Sequence, residues 1–251
     1  MKGKSAIKHF CVMLFWLVLW QITSLCINKE ILLPSPVRVF NDLLYLVFQD
    51  EFWLTVVYST IKIIIGFVGA VIVGAFMAFI TYKIKFIDML FSPILHIIKA
   101  TPVASFIILV LVWIPSKSVP SFVSFLMVTP VIWINLRNGF KNIDKSLIEM
   151  ANVFGVSKLR KITKIIIPSI IPYFAAACNI GIGFAWKSSI AAEVIANTKM
   201  SIGSMIYQSK IYLETSQLFS WTIVVVLLSL LIEHLMDRLM KVLISKYDVS
   251  E

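Results

Sequence analysis

Charge is what this sequence has least of. Only 14% of its 251 residues are Asp, Glu, Lys or Arg, while 59% are hydrophobic, and the mean hydropathy is +0.93. Soluble domains carry about a quarter charged residues, so an ordinary soluble domain is excluded. Cysteine is nearly absent. Cys11, Cys26 and Cys178 lie in or near apolar runs with no CxxC pair, which excludes a disulfide framework and a cysteine-held metal. His9, His96 and His234 are far apart and show no metal-ligand spacing, so no metal or other cofactor is expected. Internal repeats and low-complexity segments are missing too. Acidic residues are the minority of the charges, 13 against 23 basic, for a net charge of +10. The basic residues stand in short clusters beside apolar runs, which reads as membrane topology and argues against a nucleic-acid groove.

Long apolar runs are what the chain does have. They predict an all-α membrane protein, one transmembrane domain over residues 1–251 with about six spans: 10–27, 54–82, 102–114, 121–136, 169–192 and 218–235. Lys2, Lys4 and Lys8 precede the first run. That order also fits a signal peptide, but the run nearly crosses the hydrocarbon core and no small-x-small cleavage site follows. Leu33-Pro34-Ser35-Pro36 breaks helix and marks an external loop, followed by a short interfacial helix over 37–48. Under this topology most Lys and Arg residues fall on one side, which places both termini in the cytoplasm.

Three interior features stand out. Gly66, Ala70, Gly74 and Ala78 recur every four residues along one face of the second span, and Ala177, Gly181, Ala185 and Ser189 do so in the fifth. Such stripes let helix backbones approach closely in lipid. Pro130 sits inside the fourth span, tolerable where the helix packs on protein or lines a cavity. Residues 86–114 read either as an interfacial helix over 86–99 followed by a short span, or as one continuous helix.

Charges at membrane depth are costly, so they mark candidate function. A second stripe of the fifth span holds Asn179, Gly183 and Lys187, with Glu193 just beyond it. Lys187, Asn179, Gly183, Ser189 and Glu193 are the candidate lining of a translocation path. Lys187 also fits a snorkelling or Glu193-paired structural role, Trp186 reads as a packing or interfacial aromatic, and Lys62 as snorkelling outward. Glu233, His234 and Asp237 near the end of the last span read as a solvated helix end.

The polar interruption over 137–167 is the most informative stretch. Arg137, Lys141, Lys145, Lys158, Arg160, Lys161 and Lys164 put it in water on the cytoplasmic side. Ser146 and Glu149 have capping-box spacing, Gly155 suits a helix end, and Ser157 suits the cap of a second short helix. Within it, Glu149-Met150-Ala151, Gly155 and Ile165-x-Ile167-Pro168 closely resemble the EAA-loop signature of ABC importer permeases, E-A-A-x3-G-x9-I-x-L-P. Met150 and Ile167 are the mild departures.

Further residues are similar to the nitrate/sulfonate/taurine branch: Leu33-Pro34-Ser35-Pro36, Lys99-x-x-Pro102, Gly139 with Asn142-Ile143-Asp144, Pro168 with Pro172, Ala185-Trp186-Lys187, Ala192-Glu193 and Ile202-Gly203. The resemblance covers roughly residues 30–240. It implies the type I ABC importer permease (MetI-like) architecture, and a permease dimer, a homodimer by expectation, in the bilayer. It implies a pair of cytoplasmic ATP-binding cassette subunits and an external substrate-binding protein as partners. Glu149, Met150, Ala151 and Gly155 would form the coupling helix and its end, with small Ala151 permitting close docking. Ile165, Ile167 and Pro168 would pass motion into the fifth span. The cargo would be a small solute, anionic by expectation. No P-loop is present, so ATP hydrolysis by that chemistry would fall to the partner. A channel or ion-coupled carrier without an ATPase is one alternative, which has no reason to possess the polar lobe; an intramembrane enzyme is another, disfavoured because no pair of His, Asp or Glu converges at membrane depth.

Overall fold

The computed structural model describes residues 2–247, with side chains from residue 11 onward; the side chains of Lys2, Lys4, Lys8 and His9 lie outside the described residues. Eleven α-helices and no strand occur among the described residues: α1 Lys2–Ile27, α2 Pro36–Val47, α3 Asp50–Lys83, α4 Lys85–Ala100, α5 Val103–Val110, α6 Val119–Lys141, α7 Lys145–Val153, α8 Lys158–Lys161, α9 Ile167–Ala196, α10 Ile202–Ile211 and α11 Thr215–Tyr247. Four helical stretches are long and apolar enough to cross a membrane: α3, α6, Lys158–Ala196 and α11; counting the bent pair α4–α5 as one span makes five. The apolar part of α1, Cys11–Ile27, is shorter.

Helix α6 sits between α3 and α9, and the two small-residue stripes explain how. Ala70, Ala78, Ala177, Ala185 and Ser189 have no exposed surface. A Cβ built at Gly66 would stand 2.3 Å from the Ser121 carbonyl oxygen, one at Gly74 2.9 Å from Ile132 Cβ, and one at Gly181 3.0 Å from Val128 Cγ1. Both stripes therefore press onto α6, where close backbone approach substitutes for the hydrophobic drive that lipid does not supply. Pro130 is buried within α6. Trp133 of α6 donates from Nε1 to Thr81 Oγ1 of α3 at 2.9 Å, and Trp186 of α9 donates to the Val225 carbonyl of α11 at 3.1 Å. Trp186 is thus a packing aromatic.

Between residues 86 and 114 the helix is broken, with α4 and α5 meeting at 105°. Thr101 adopts an extended backbone (ψ 127°) ahead of Pro102, as sterics before proline dictate. With 8 residues, α5 reaches only about 12 Å, too little to cross a bilayer alone. An Asp88–Arg137 ion pair ties α4 to α6. At the end of the bundle away from α7 and α8, Ser35 caps α2 with Pro36 in its first turn. Trp20 and Ser24 of α1 hold that loop by donating to the carbonyls of Pro34 and Leu33.

Two sequence expectations change. Lys62 does not snorkel: it is buried, with Nζ 3.9 Å from the centre of the Tyr58 ring. Helix α11 continues to Tyr247, so Glu233 is no solvated end. Its Oε1 accepts from Ser229 Oγ at 3.1 Å and lies 3.1 Å from the place a Cβ on Gly183 would take.

Candidate functional site

The cap of α7 is Asp144, not Ser146. Asp144 Oδ1 accepts from the Ser146 amide at 2.8 Å and from Ser146 Oγ at 2.7 Å, so the cap stands one residue before α7 begins. These bonds from Ser146 hold the Asp144 carboxyl below the usual carboxylate range. Helix α7 ends on Gly155 at φ +64°. The Val156 amide donates to the Ala151 carbonyl at 2.9 Å and the Gly155 amide to Asn152 at 3.1 Å, the paired bonds of a Schellman motif. Ser157 then caps α8, and Lys161 Nζ donates to Asn152 Oδ1, tying the two short helices together.

The joint to α9 is a π-helical turn, Ile162–Ile166, in which the Ile167 amide donates to the Ile162 carbonyl. Pro168 has no N–H, so an α-helical bond to the Lys164 carbonyl is impossible there, and the widened turn accommodates the defect. Ser169 Oγ donates to the Ile165 carbonyl at 2.7 Å. Residues Lys158–Ala196 consequently form one helical stretch of 39 residues.

Of the signature residues, Glu149 and Met150 are exposed, Ala151 is buried, Gly155 is exposed, and Ile165, Ile167 and Pro168 are half-buried. Ala151 faces its own chain. The outward surface carries Met150, Val153 (85% exposed), Phe154 (77%) and Leu159 (76%) instead. Val153, Phe154 and Leu159 escaped sequence reading because a nine-residue helix offers too few turns for a clear apolar face. The signal was available in Val153-Phe154 just before the glycine of a polar loop.

The five candidate path residues do not converge. Lys187 is exposed, on the side of α9 that also bears exposed Ile180 and Phe184. Gly183 is half-buried beside Glu233. Asn179 is half-buried, and Ser189 is fully buried; each keeps a buried oxygen without a hydrogen-bond partner. Glu193 is fully buried, accepting from Ser59 Oγ and the Gly203 amide, each at 3.0 Å. A cavity of about 360 Å³ opens at the α4–α5 break, lined by Lys99, Thr101, Pro130 and Phe184 among others. Phe184 stands one turn before Lys187, so this cavity and Lys187 share a side of α9. Neither Lys99 nor Ser59 was singled out as a site, because only the break and the helix packing bring them there.

Together these features define a polytopic all-helical membrane protein with a folded polar lobe at one end and a broken helix beside a cavity that Lys99 helps to line. The chain belongs to the family of binding-protein-dependent transport system inner membrane components, whose family model matches residues 70–249.

It is 26% identical over 239 residues to the nitrate import permease protein of Synechocystis sp. (88% of this chain, 82% of that protein). It is 28% identical over 208 residues to the bicarbonate transport system permease protein of the same organism (77% and 73%). With the taurine transport system permease protein of Escherichia coli it shares 22% over 222 residues (86% and 80%). Its fold matches a crystal structure of an amino acid ABC transporter at TM-score 0.60 and 17% identity, over 78% of this chain and 93% of that one. A methionine ABC transporter in inward-facing conformations matches at TM-score 0.55 and 18% identity, over 76% and 93%.

The chain is thus a permease subunit of an ABC importer, a multi-pass cell-membrane protein and not an enzyme. Membership decides against a free-standing channel or carrier, and implies an ATP-hydrolysing subunit and a substrate-binding protein as partners.

Proposed function

We propose that the chain pairs with a second copy of itself to form a pathway for a small anionic solute, with α7 and α8 as the cytoplasmic docking lever for the ATP-hydrolysing subunit and both termini on the same side. The observation that carries the lever is the lobe's construction. Asp144 and Gly155 close both ends of a short helix whose signature spacing is kept, while Met150, Val153, Phe154 and Leu159 stand exposed beside a run of cations. Water-exposed apolar side chains on a rigid, capped element fit burial in a partner's cleft.

The anionic cargo is supported by the relatives named for nitrate, bicarbonate, taurine and aliphatic sulfonates, compounds that share an oxyanion group. Lys99 and Lys187 agree with it. A lysine facing lipid costs roughly 2.5–3.5 kcal/mol on insertion scales, so the exposed side of α9 that carries Lys187 is better covered by a second copy or by water than by lipid.

The test is co-purification of the ATP-hydrolysing subunit with this chain after Phe154→Asp and Glu149→Ala. Membrane insertion stays at the wild-type level while association falls at least about tenfold, as for loss of a central anchor. Undiminished association would remove the lever from this lobe.

A further inference from the structure

A fully buried polar cluster lies at the opposite end of α9 from the lobe. Glu193 has no exposed surface and neither does Ser59 of α3. One carboxylate oxygen, Oε2, accepts from Ser59 Oγ and from the Gly203 amide, in the first turn of α10, each at 3.0 Å. Ser59 Oγ accepts in turn from the Ile202 amide at 2.9 Å. The first two amides of α10, which have no partner inside their own helix, are thus satisfied by a side chain of α9 and one of α3.

The fit around this joint is tight. A Cβ on Gly203 would fall 2.3 Å from Glu193 Cβ. The connecting segment is locked as well: Asn197 holds a left-handed backbone at φ 45°, and the Thr198 amide donates to the Glu193 carbonyl at 3.1 Å. Thr198 Oγ1 donates to the Ser116 carbonyl at 3.0 Å, and Ser201 and Ser204 cap the helix reciprocally. Lys62, one turn along α3 from Ser59, is buried with Nζ unbonded over the Tyr58 ring.

A carboxylate taken this far out of water is retained at a cost. Both donors to Oε2 belong to this chain, while Oε1 is buried without a hydrogen-bond partner, so the bonds the side chain makes are bonds between helices. We propose that Glu193 is a positioning residue that fastens α10 to α9 and α3, so that displacement of the lobe is delivered as movement of α10 at the far face. The mechanical path is continuous: Lys158–Ala196 is one helical stretch reaching roughly 50 Å from the lobe to Glu193 at 1.5 Å per residue. This rests on the reading of α7–α8 as the ATPase lever. In that scheme α10 is the part of the outer face through which the loaded binding protein and the ATPase sense one another.

The test uses the complete transporter in proteoliposomes, comparing wild type with Glu193→Ala, Glu193→Gln and Ser59→Ala. Three readouts are taken: assembly with the ATPase, hydrolysis without binding protein, and hydrolysis with solute-loaded binding protein. Glu193→Ala removes the acceptor, and stimulation by loaded binding protein falls about tenfold, within the usual range of a coupling energy, with assembly and unstimulated hydrolysis kept. Glu193→Gln keeps an acceptor oxygen and restores most of the stimulation. Ser59→Ala falls between them, and serves as the deciding variant if Glu193→Ala does not insert. Full stimulation in Glu193→Ala or, failing that variant, in Ser59→Ala overturns the proposal, as does an equal loss of unstimulated and stimulated hydrolysis. Failure of the wild-type chain to hold the ATPase would overturn the lever reading instead.

Discussion

Glycine carries the tightest constraint at the residue scale, and not every glycine carries it. Gly66 meets the Ser121 carbonyl oxygen at 2.3 Å from a built Cβ, a backbone atom that cannot rotate away, whereas the nearest atom at Gly69 is a Phe125 side-chain carbon at 3.4 Å. Gly66→Ala is therefore expected to destabilise the helix bundle by roughly 1–3 kcal/mol, and Gly69→Ala to leave it nearly unchanged; thermal unfolding in detergent checks the pair. Equal effects would show that α3 and α6 are not in this register. The sequence already marked Gly66 through its four-residue repeat, and Gly69 stood outside that repeat. Lys62 and Glu193 were less legible. Sequence put Lys62 at the membrane surface and Glu193 outside it or on the path, because their shared environment is made by helices more than a hundred residues apart in the chain.

At the scale of elements, the lobe is a set of local devices, and it was correspondingly readable. Gly155 and Ser157 fell where spacing put them; the cap moved from Ser146 to Asp144, since both residues suit the role and only the helix start decides. The cap gives a pH prediction. Because the folded carboxyl is held below its ordinary value by Ser146, its contribution is fully present above the unfolded pKa and is lost as pH falls through the folded one. The Ser146 amide resonance should titrate with a midpoint below that of a free aspartate and be flat in Asp144→Asn; an unshifted midpoint would show that the cap does not form. The π-helical joint was not legible, because i to i+5 bonding has no sequence pattern of its own. Pro168 and Pro172 entered the sequence reading only as part of the family resemblance.

At the scale of the whole molecule, the exposed side of α9 and the cavity at the α4–α5 break set the transport prediction. If Lys99 and Lys187 attract the solute, Lys187→Glu should cut anion uptake into proteoliposomes by about tenfold or more, with Lys187→Met intermediate and Lys99→Met similar, as expected of charges that raise the local concentration of substrate. Assembly with the ATPase should not change, and uptake indifferent to both lysines would take them off the path.

Composition and the period of small residues were enough, without coordinates, to determine a polytopic helical membrane protein with a polar lobe, and the spacing of the lobe signature carried the resemblance to ABC importer permeases, because all three are written in local order along the chain. Which helix occupies the centre, that Ala151 turns inward while Phe154 faces out, and that Glu193 is fastened to Ser59 and α10 were decided only by tertiary structure. Those facts depend on how distant helices cross, and in a chain this uniformly apolar the hydrophobic pattern that would report the inner face of a helix is nearly erased.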